Sequence, residues 1–180
     1  MKKLILIGGV LAGGKSTFSH LVGERFGVSV VNKDRVKEIL GDNIVTNNRE
    51  ENKKLSVISF ELMSYLVDGE GEALILESNF KTHELRELRD KCEKSRCDVL
   101  TILLDGDDTV LHSRFIKRLS ENRHPVHKSQ DFSRIEDFTT TLNELRDAEY
   151  FGKIIKVDCT DFLYQTDETL YEKIKVFLNK

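Results

Sequence analysis

The chain has no tryptophan, one proline and only three cysteines in 180 residues. Cys92 and Cys97 lie close together without a second pair, and Cys159 stands alone. This gives neither a disulfide framework nor a zinc-type ligand set, so reduced thiols in a cytoplasmic protein are the simplest reading. No apolar run approaches the roughly 20 residues that a membrane helix needs. The apolar stretch after Met1-Lys2-Lys3 is too short for a secretory signal. Charge of one sign is not in excess either. The 28 Lys and Arg against 31 Asp and Glu leave a net charge of −3, which argues against a general affinity for nucleic acid or membrane surfaces. Internal repeats, low-complexity tracts and linkers are also missing. What is present suits one domain over residues 1–180, with 39% apolar residues for a core and 33% charged residues for its surface.

Apolar runs at "KLILI" (3–7), "VSVV" (28–31), "EALIL" (72–76), "DVLTILL" (98–104) and "KIIKV" (153–157) read as five strands, the first covered on both faces and the third also buried. Between them lie stretches of helical periodicity. One starts near Lys15 and stops at Gly27; a short one over 34–40 ends at Gly41; one opens on Asn48 with Glu51 three residues on and runs to Gly69. Further helices carry Leu85, Leu88 and Cys92, then residues 108–120, and finally about 166–178. Strands alternating with helices predict an α/β fold, with a five-stranded parallel sheet covered by helices on both faces. Ligands of such sheets bind at the carboxyl ends of the strands.

The stretch "GGVLAGGKST" (8–17) falls at such an end. Gly9, four residues, then Gly14-Lys15-Ser16 forms a phosphate-binding P-loop pattern between a buried strand and a helix. Glycines let backbone N–H groups curl around an anion, and the helix N-terminus adds donors and a favourable dipole. Gly9, Ala12, Gly13, Gly14, Lys15, Ser16 and Thr17 are therefore the expected ATP-binding residues. Lys15 would reach the β/γ-phosphates, and the Ser16 hydroxyl would ligate Mg²⁺. A flexible strand-to-helix turn is the plain alternative, and it leaves the flanking strand and amphipathic helix unexplained. A GTPase reading fits poorly: "DGEG" (68–71) precedes a strand instead of following one, and "NKDR" (32–35) has Arg35 where guanine recognition needs aspartate.

Four segments in order, "IGGVLAGGKSTFSHL", "VNKDRVKEIL", "LILESNF" and "RFIKRLSENRHPVHKSQ", resemble the P-loop kinases of small molecules and polynucleotide 5′-ends. That group includes gluconate kinase, chloramphenicol phosphotransferase, the zeta toxins and the kinase domain of polynucleotide kinase. The resemblance covers nearly the whole chain and departs from the family at Leu11, where many members have proline. It implies a P-loop NTPase fold with a basic helical lid, here about 112–134, but it carries no particular acceptor across.

By this resemblance Asp34 is the base that orients the acceptor hydroxyl and takes its proton, a role suited to a carboxylate; the alternative, a cap of the helix after it, does not exclude that role. Lys37 matches a residue that binds substrate or phosphate, or it lies on a solvated helix face. Glu77, where the family more often has aspartate, would help hold Mg²⁺ or be only a strand end. Asn79 and Phe80 would line the acceptor pocket, where the aromatic ring stacks or simply packs. Thr82 reads as a helix cap.

The lid carries six Lys/Arg against two acidic residues between His112 and Arg134. Arg118 and Arg123 suit the charge spread over a transferred phosphoryl group; Arg114 and Lys117 fit a solvated face. His124 and His127 fit the surface or the acceptor pocket better than a metal. "DCTDF" (158–162) follows the last strand, and Thr160 is the candidate beside the adenine.

The expected function is Mg²⁺-dependent transfer of the γ-phosphate of ATP to a hydroxyl of a small molecule or a nucleic-acid 5′-end. The rivals are an ATP-dependent switch signalling through helix 49–68, and a nucleotide kinase. Nothing in the sequence fixes the oligomeric state.

Overall fold

The computed structural model describes residues 1–121, 124–127 and 132–180. Five strands, β1 (Lys3–Gly9), β2 (Val30–Asn32), β3 (Ala73–Glu77), β4 (Asp98–Asp105) and β5 (Lys153–Asp158), form one parallel sheet in the order β2-β3-β1-β4-β5. The helices are α1 (Lys15–Phe26), α2 (Lys33–Asn43), α3 (Arg49–Tyr65), α4 (Thr82–Lys94), α5 (Asp108–Ser120), α6 (Ile135–Arg146) and α7 (Glu168–Leu178). Among the described residues no helix is long and apolar enough to cross a membrane.

Side chains alternate across a strand, and β1 shows the consequence. Ile5 and Ile7 enter one core with Phe18 and Val22 of α1, Phe138 of α6 and Ile174 of α7. Leu4 and Leu6 enter the other with Phe60 and Met63 of α3 and Leu85 and Leu88 of α4. All four β1 side chains are fully buried, and burial of each contributes roughly 1.5–3 kcal/mol. The most apolar strand is therefore the central one, and its carboxyl end, where the P-loop begins, has the firmest support.

Several expected boundaries differ from the observed ones. Residues 28 and 29 precede β2. The second helix runs through Gly41 to Asn43, because this glycine serves close packing instead of stopping the helix: a Cβ there would lie 2.3 Å from a Val126 methyl. Thr82 is the first helical residue and not the cap; the N-cap is Lys81, whose N–H donates to Glu84 at 3.0 Å. Helix α6 was not foreseen. Gly27 ends α1 in a left-handed conformation, and Asn48 caps α3 by accepting from the Glu51 N–H at 2.9 Å, both as the sequence predicts.

Candidate active site

The P-loop turns out of β1 at Gly9, whose φ is +108°; a Cβ there would sit 2.0 Å from the Leu104 carbonyl oxygen. Only glycine fits. The N–H groups of Ala12, Gly13, Gly14, Lys15 and Ser16 have no acceptor among the described residues, which leaves a ring of donors at the start of α1. Two tyrosines fix the loop from the far end of the chain. The Tyr150 hydroxyl accepts from the Gly9 N–H at 2.9 Å, and the Tyr164 hydroxyl donates to the Gly13 carbonyl at 2.7 Å. Lys15 is buried and folds over its own loop, donating to the carbonyls of Gly9 and Val10. Burial lowers its pKa, opposed by the nearby carboxylates of Glu77 and Asp34.

Beside the loop, the parallel register sets Asn32, the last residue of β2, opposite Glu77, the last of β3. Ser16 Oγ donates to Glu77 Oε2 at 3.1 Å; Asn32 Nδ2 donates to both Ser16 Oγ, at 3.1 Å, and the Glu77 carboxylate. Glu77 is buried, and burial together with Asp34 pushes its pKa up to about 7, against the pull of Lys15, Ser16 and Arg118. The strand-end alternative for Glu77 as a solvent-facing residue is thereby excluded. Asn32, unremarked in the sequence, also caps α2 by accepting from the Arg35 N–H at 2.7 Å. That leaves Asp34, in the first turn of α2, exposed and free of the capping role.

A cavity of about 410 Å³ lies over the loop, and its wall includes Ser16, Thr17, Asp34, Glu77, Asn79 and Arg118. The Arg118 guanidinium makes no hydrogen bond or ion pair among the described residues, and its charge acts on Lys15 and Glu77. Arg123 lies outside the described residues, as do Lys128, Ser129 and Gln130. Arg114 is no solvated residue. It donates to the carbonyls of Cys159, at 2.7 Å, and Thr160, and its guanidinium lies 3.7 Å from the centre of the Phe162 ring, both side chains lining the same cavity. Thr160 itself turns elsewhere: its hydroxyl accepts from the Asp107 N–H at 3.1 Å, and it borders a separate depression with Asp105 and Asp158.

A smaller cavity of about 140 Å³ adjoins the first and shares Leu11, Asp34, Asn79 and Phe115 with it. Lys37 borders it, but its ammonium donates to the Val126 carbonyl at 3.3 Å, and burial lowers its pKa. Phe80 does not line it. The ring is fully buried in the α3–α4 core, edge-on to Tyr150, so the packing alternative is the correct one. His124 precedes and His127 ends a short turn, Pro125–His127, that docks on α2: His124 meets Asp42 at 2.9 Å and His127 meets Glu38 at 3.2 Å.

Among the described residues no group of three or more His, Cys, Asp or Glu forms a self-contained metal site. Ser16 Oγ and the Glu77 carboxylate are nevertheless hard oxygen donors beside the phosphate loop. Such a pair fits Mg²⁺, which takes few protein ligands and completes its shell with phosphate oxygens and water.

Solved structures share this fold from end to end. A candidate kinase from Chloroflexus aurantiacus aligns over 98% of this chain and 98% of its own, at 20% identity and a TM-score of 0.78. A sugar kinase from Janibacter sp. HTCC2649 aligns over 99% and 95%, at 21% identity and 0.61. The tunicamycin resistance protein of Deinococcus radiodurans aligns over 98% and 95%, at 18% identity and 0.61. No protein-family model and no curated protein matches the sequence. The chain has the fold of these structures, a five-stranded parallel sheet with helices on both faces.

Proposed function

We propose that this P-loop protein is a kinase that transfers the γ-phosphoryl group of ATP, with Mg²⁺, to a hydroxyl group of a small molecule or a nucleic-acid 5′-end. One observation carries the reading: Asp34 stands on the wall common to the phosphate-loop cavity and the smaller cavity beside it. A carboxylate there faces the donor phosphate on one side and an acceptor hydroxyl on the other. The structural neighbours include a sugar kinase, which agrees with a hydroxyl acceptor.

In the proposed reaction the loop N–H groups and Lys15 bind the phosphates, Lys15 leaving its own loop carbonyls as they arrive. Ser16 and Glu77 would hold Mg²⁺, which when bound offsets phosphate charge. Arg114 and Phe162 offer a flat cation and a ring suited to the nucleobase, a role the sequence reading gave to Thr160. The acceptor oxygen forms its bond to the γ-phosphorus as the bond to the β–γ bridging oxygen breaks. ADP leaves with that electron pair, and the hydroxyl proton passes to Asp34. Arg118, with Arg123 from the lid, meets the charge on the transferred group. Catalysis is mostly positioning and electrostatics.

Asp34→Asn tests this assignment. The amide keeps the shape, and Asn32 remains to cap α2. ATP-analogue binding should stay near wild type while transfer falls by roughly 10²–10⁴, the range of a positioned acid–base group. A switch without an acceptor predicts slow ATP hydrolysis that this substitution leaves alone, and that result would refute the kinase reading.

A further inference from the structure

We propose that Asn32 is a positioning residue that couples the oxygen pair of Ser16 and Glu77 to the start of α2, the turn that carries Asp34. Its bearing on transfer rests on the kinase reading above; the coupling rests on the geometry of three side chains.

The Asn32 amide is oriented from both of its ends. Its Oδ1 accepts from the Arg35 N–H at 2.7 Å and so caps α2. A backbone N–H can only donate, so the oxygen must face the helix and the NH₂ group must face away from it. On that side lie the two hard oxygen donors suited to Mg²⁺. Asn32 Nδ2 donates to Ser16 Oγ, at 3.1 Å, and to the Glu77 carboxylate. Ser16 Oγ donates in turn to Glu77 Oε2 at 3.1 Å, which closes a triangle of side chains from α1, β2 and β3.

An amide NH₂ turns its positive end toward the oxygens it addresses. The same oxygens cannot hold both these hydrogens and a divalent cation. To let a cation bind at Ser16 and Glu77, Asn32 must give up its two bonds there. Turning the amide over about its terminal torsion brings Oδ1 to the pair but takes the cap from α2. The alternative is that the first turn of α2 moves with the side chain. Either response is felt in that turn.

The turn is built to register it. The bond between Asn32 and Arg35 spans Asp34, which stands on the wall of both cavities. Lys33, between Asn32 and Asp34, is ion-paired with Glu84 of α4, the two side chains being 12% and 6% exposed. This anchor concentrates the response on the turn that contains Asp34. Asn32 thereby opposes cation binding and passes the event on to Asp34.

The test uses the full chain with ADP and two uncharged variants, Asn32→Ser and Asn32→Thr. Each keeps a side-chain oxygen able to cap α2 and removes the NH₂ group; threonine is the better suited to a strand end. Mn²⁺ binding in the presence of ADP, read by electron paramagnetic resonance, should tighten by roughly tenfold in both, the worth of a hydrogen bond to a charged group. Amide hydrogen exchange at Arg35 is a second readout, which a merely structural residue would not move. Adding Mg²⁺ to the ADP complex should speed this exchange several-fold in wild type and leave it unchanged in the variants. Melting profiles check the folds, and one folded variant suffices. Mn²⁺ binding no tighter than in wild type, or wild-type Arg35 exchange indifferent to Mg²⁺, overturns the proposal. Neither readout involves an acceptor. Absence of phosphoryl transfer to any acceptor would refute the kinase reading and leave the coupling standing, whereas transfer with both readouts flat refutes the coupling alone.

Discussion

Glu77→Gln should remove most of a pH dependence of stability built into the metal-free protein. Glu77 is 5% exposed, and among the described residues its only donors are the Ser16 hydroxyl and the Asn32 amide. Burial, aided by Asp34, raises its pKa from the ordinary 4.5 to about 7. Because the folded value is the higher, the native state keeps a proton that the unfolded chain releases between those two values. The contribution is complete below pH 4.5 and is lost as the pH climbs to about 7. At roughly 1.4 kcal/mol per pH unit the loss comes to about 3 kcal/mol. Glutamine fills nearly the same volume, still accepts from Ser16 and Asn32, and cannot ionise. Urea unfolding of both proteins in chelator, from about pH 5 to about pH 8, isolates the effect, since titrating groups that do not interact with Glu77 cancel in the difference. The variant should gain about 2–3 kcal/mol on wild type across that interval. A flat difference, or one of opposite sign, refutes the account of Glu77 as a buried carboxylate that lacks its cation. Mg²⁺ with an ATP analogue should then narrow the gap by restoring wild type and not the variant.

Lys15→Ala should abolish transfer, yet the empty protein at neutral pH should melt no lower than wild type, because the substitution removes a buried cation whose hydrogen bonds go only to loop carbonyls and whose burial outweighs the pull of Glu77 and Asp34. A large drop in melting temperature, or undiminished transfer, would contradict this. Arg118→Ala should lower kcat and kcat/KM together by up to roughly 10³-fold, with ATP-analogue affinity little changed, as expected of a contact made in the transition state; steady-state kinetics beside a direct binding titration decides it. Arg114→Ala should act on nucleotide binding instead, weakening it by roughly tenfold through loss of the hold on residues 159–160 and of the Phe162 stack. Unchanged calorimetric affinity would leave Arg114 a purely structural brace.

The parts of this protein that were legible in its sequence are those where one local pattern has one physical cause. A glycine loop between a buried strand and a helix has few other uses, and continuous apolar runs separated by helical periodicity leave little choice but a parallel sheet. Asp34 and Glu77 were findable because each ends or follows a strand at the edge where ligands bind. What escaped depends on contacts distant in sequence. Asn32 looked like an ordinary residue before a helix; only the β2–β3 register brings it to Glu77. Arg114 could be read from its helix as solvent-facing until the loop after β5 was seen beneath it. Phe80 lies past the end of β3, where no strand or helix periodicity assigns it a face, and it is buried in the core with α3 and α4. Helix α6 was obscured by Thr139, Thr140 and Thr141, β-branched residues of weak helical preference, although Phe138, Leu142 and Leu145 do recur on one buried face.

The two sides of the site are built on different principles, and this bears on what each can select. On the phosphate side a segment with maximal conformational freedom is held in one shape by partners that surround it: Tyr150 at Gly9, Leu104 at Val10 and Tyr164 at Gly13. Its donors are fixed before a ligand arrives, so little ordering entropy opposes phosphate binding, and the selection is for the anion itself. On the other side the wall is a short turn held by a carbonyl with two donors and by two histidine–carboxylate contacts, all of them polar and partly exposed. Such contacts are individually weak, and the apolar anchor beside them is the Val126 side chain, buried where Gly41 lacks a Cβ. A rigid donor site paired with a lightly fastened acceptor wall makes the acceptor side the place where a change of few residues redirects specificity. The phosphate side, by contrast, tolerates almost none, since a side chain at Gly9 would strike the Leu104 carbonyl.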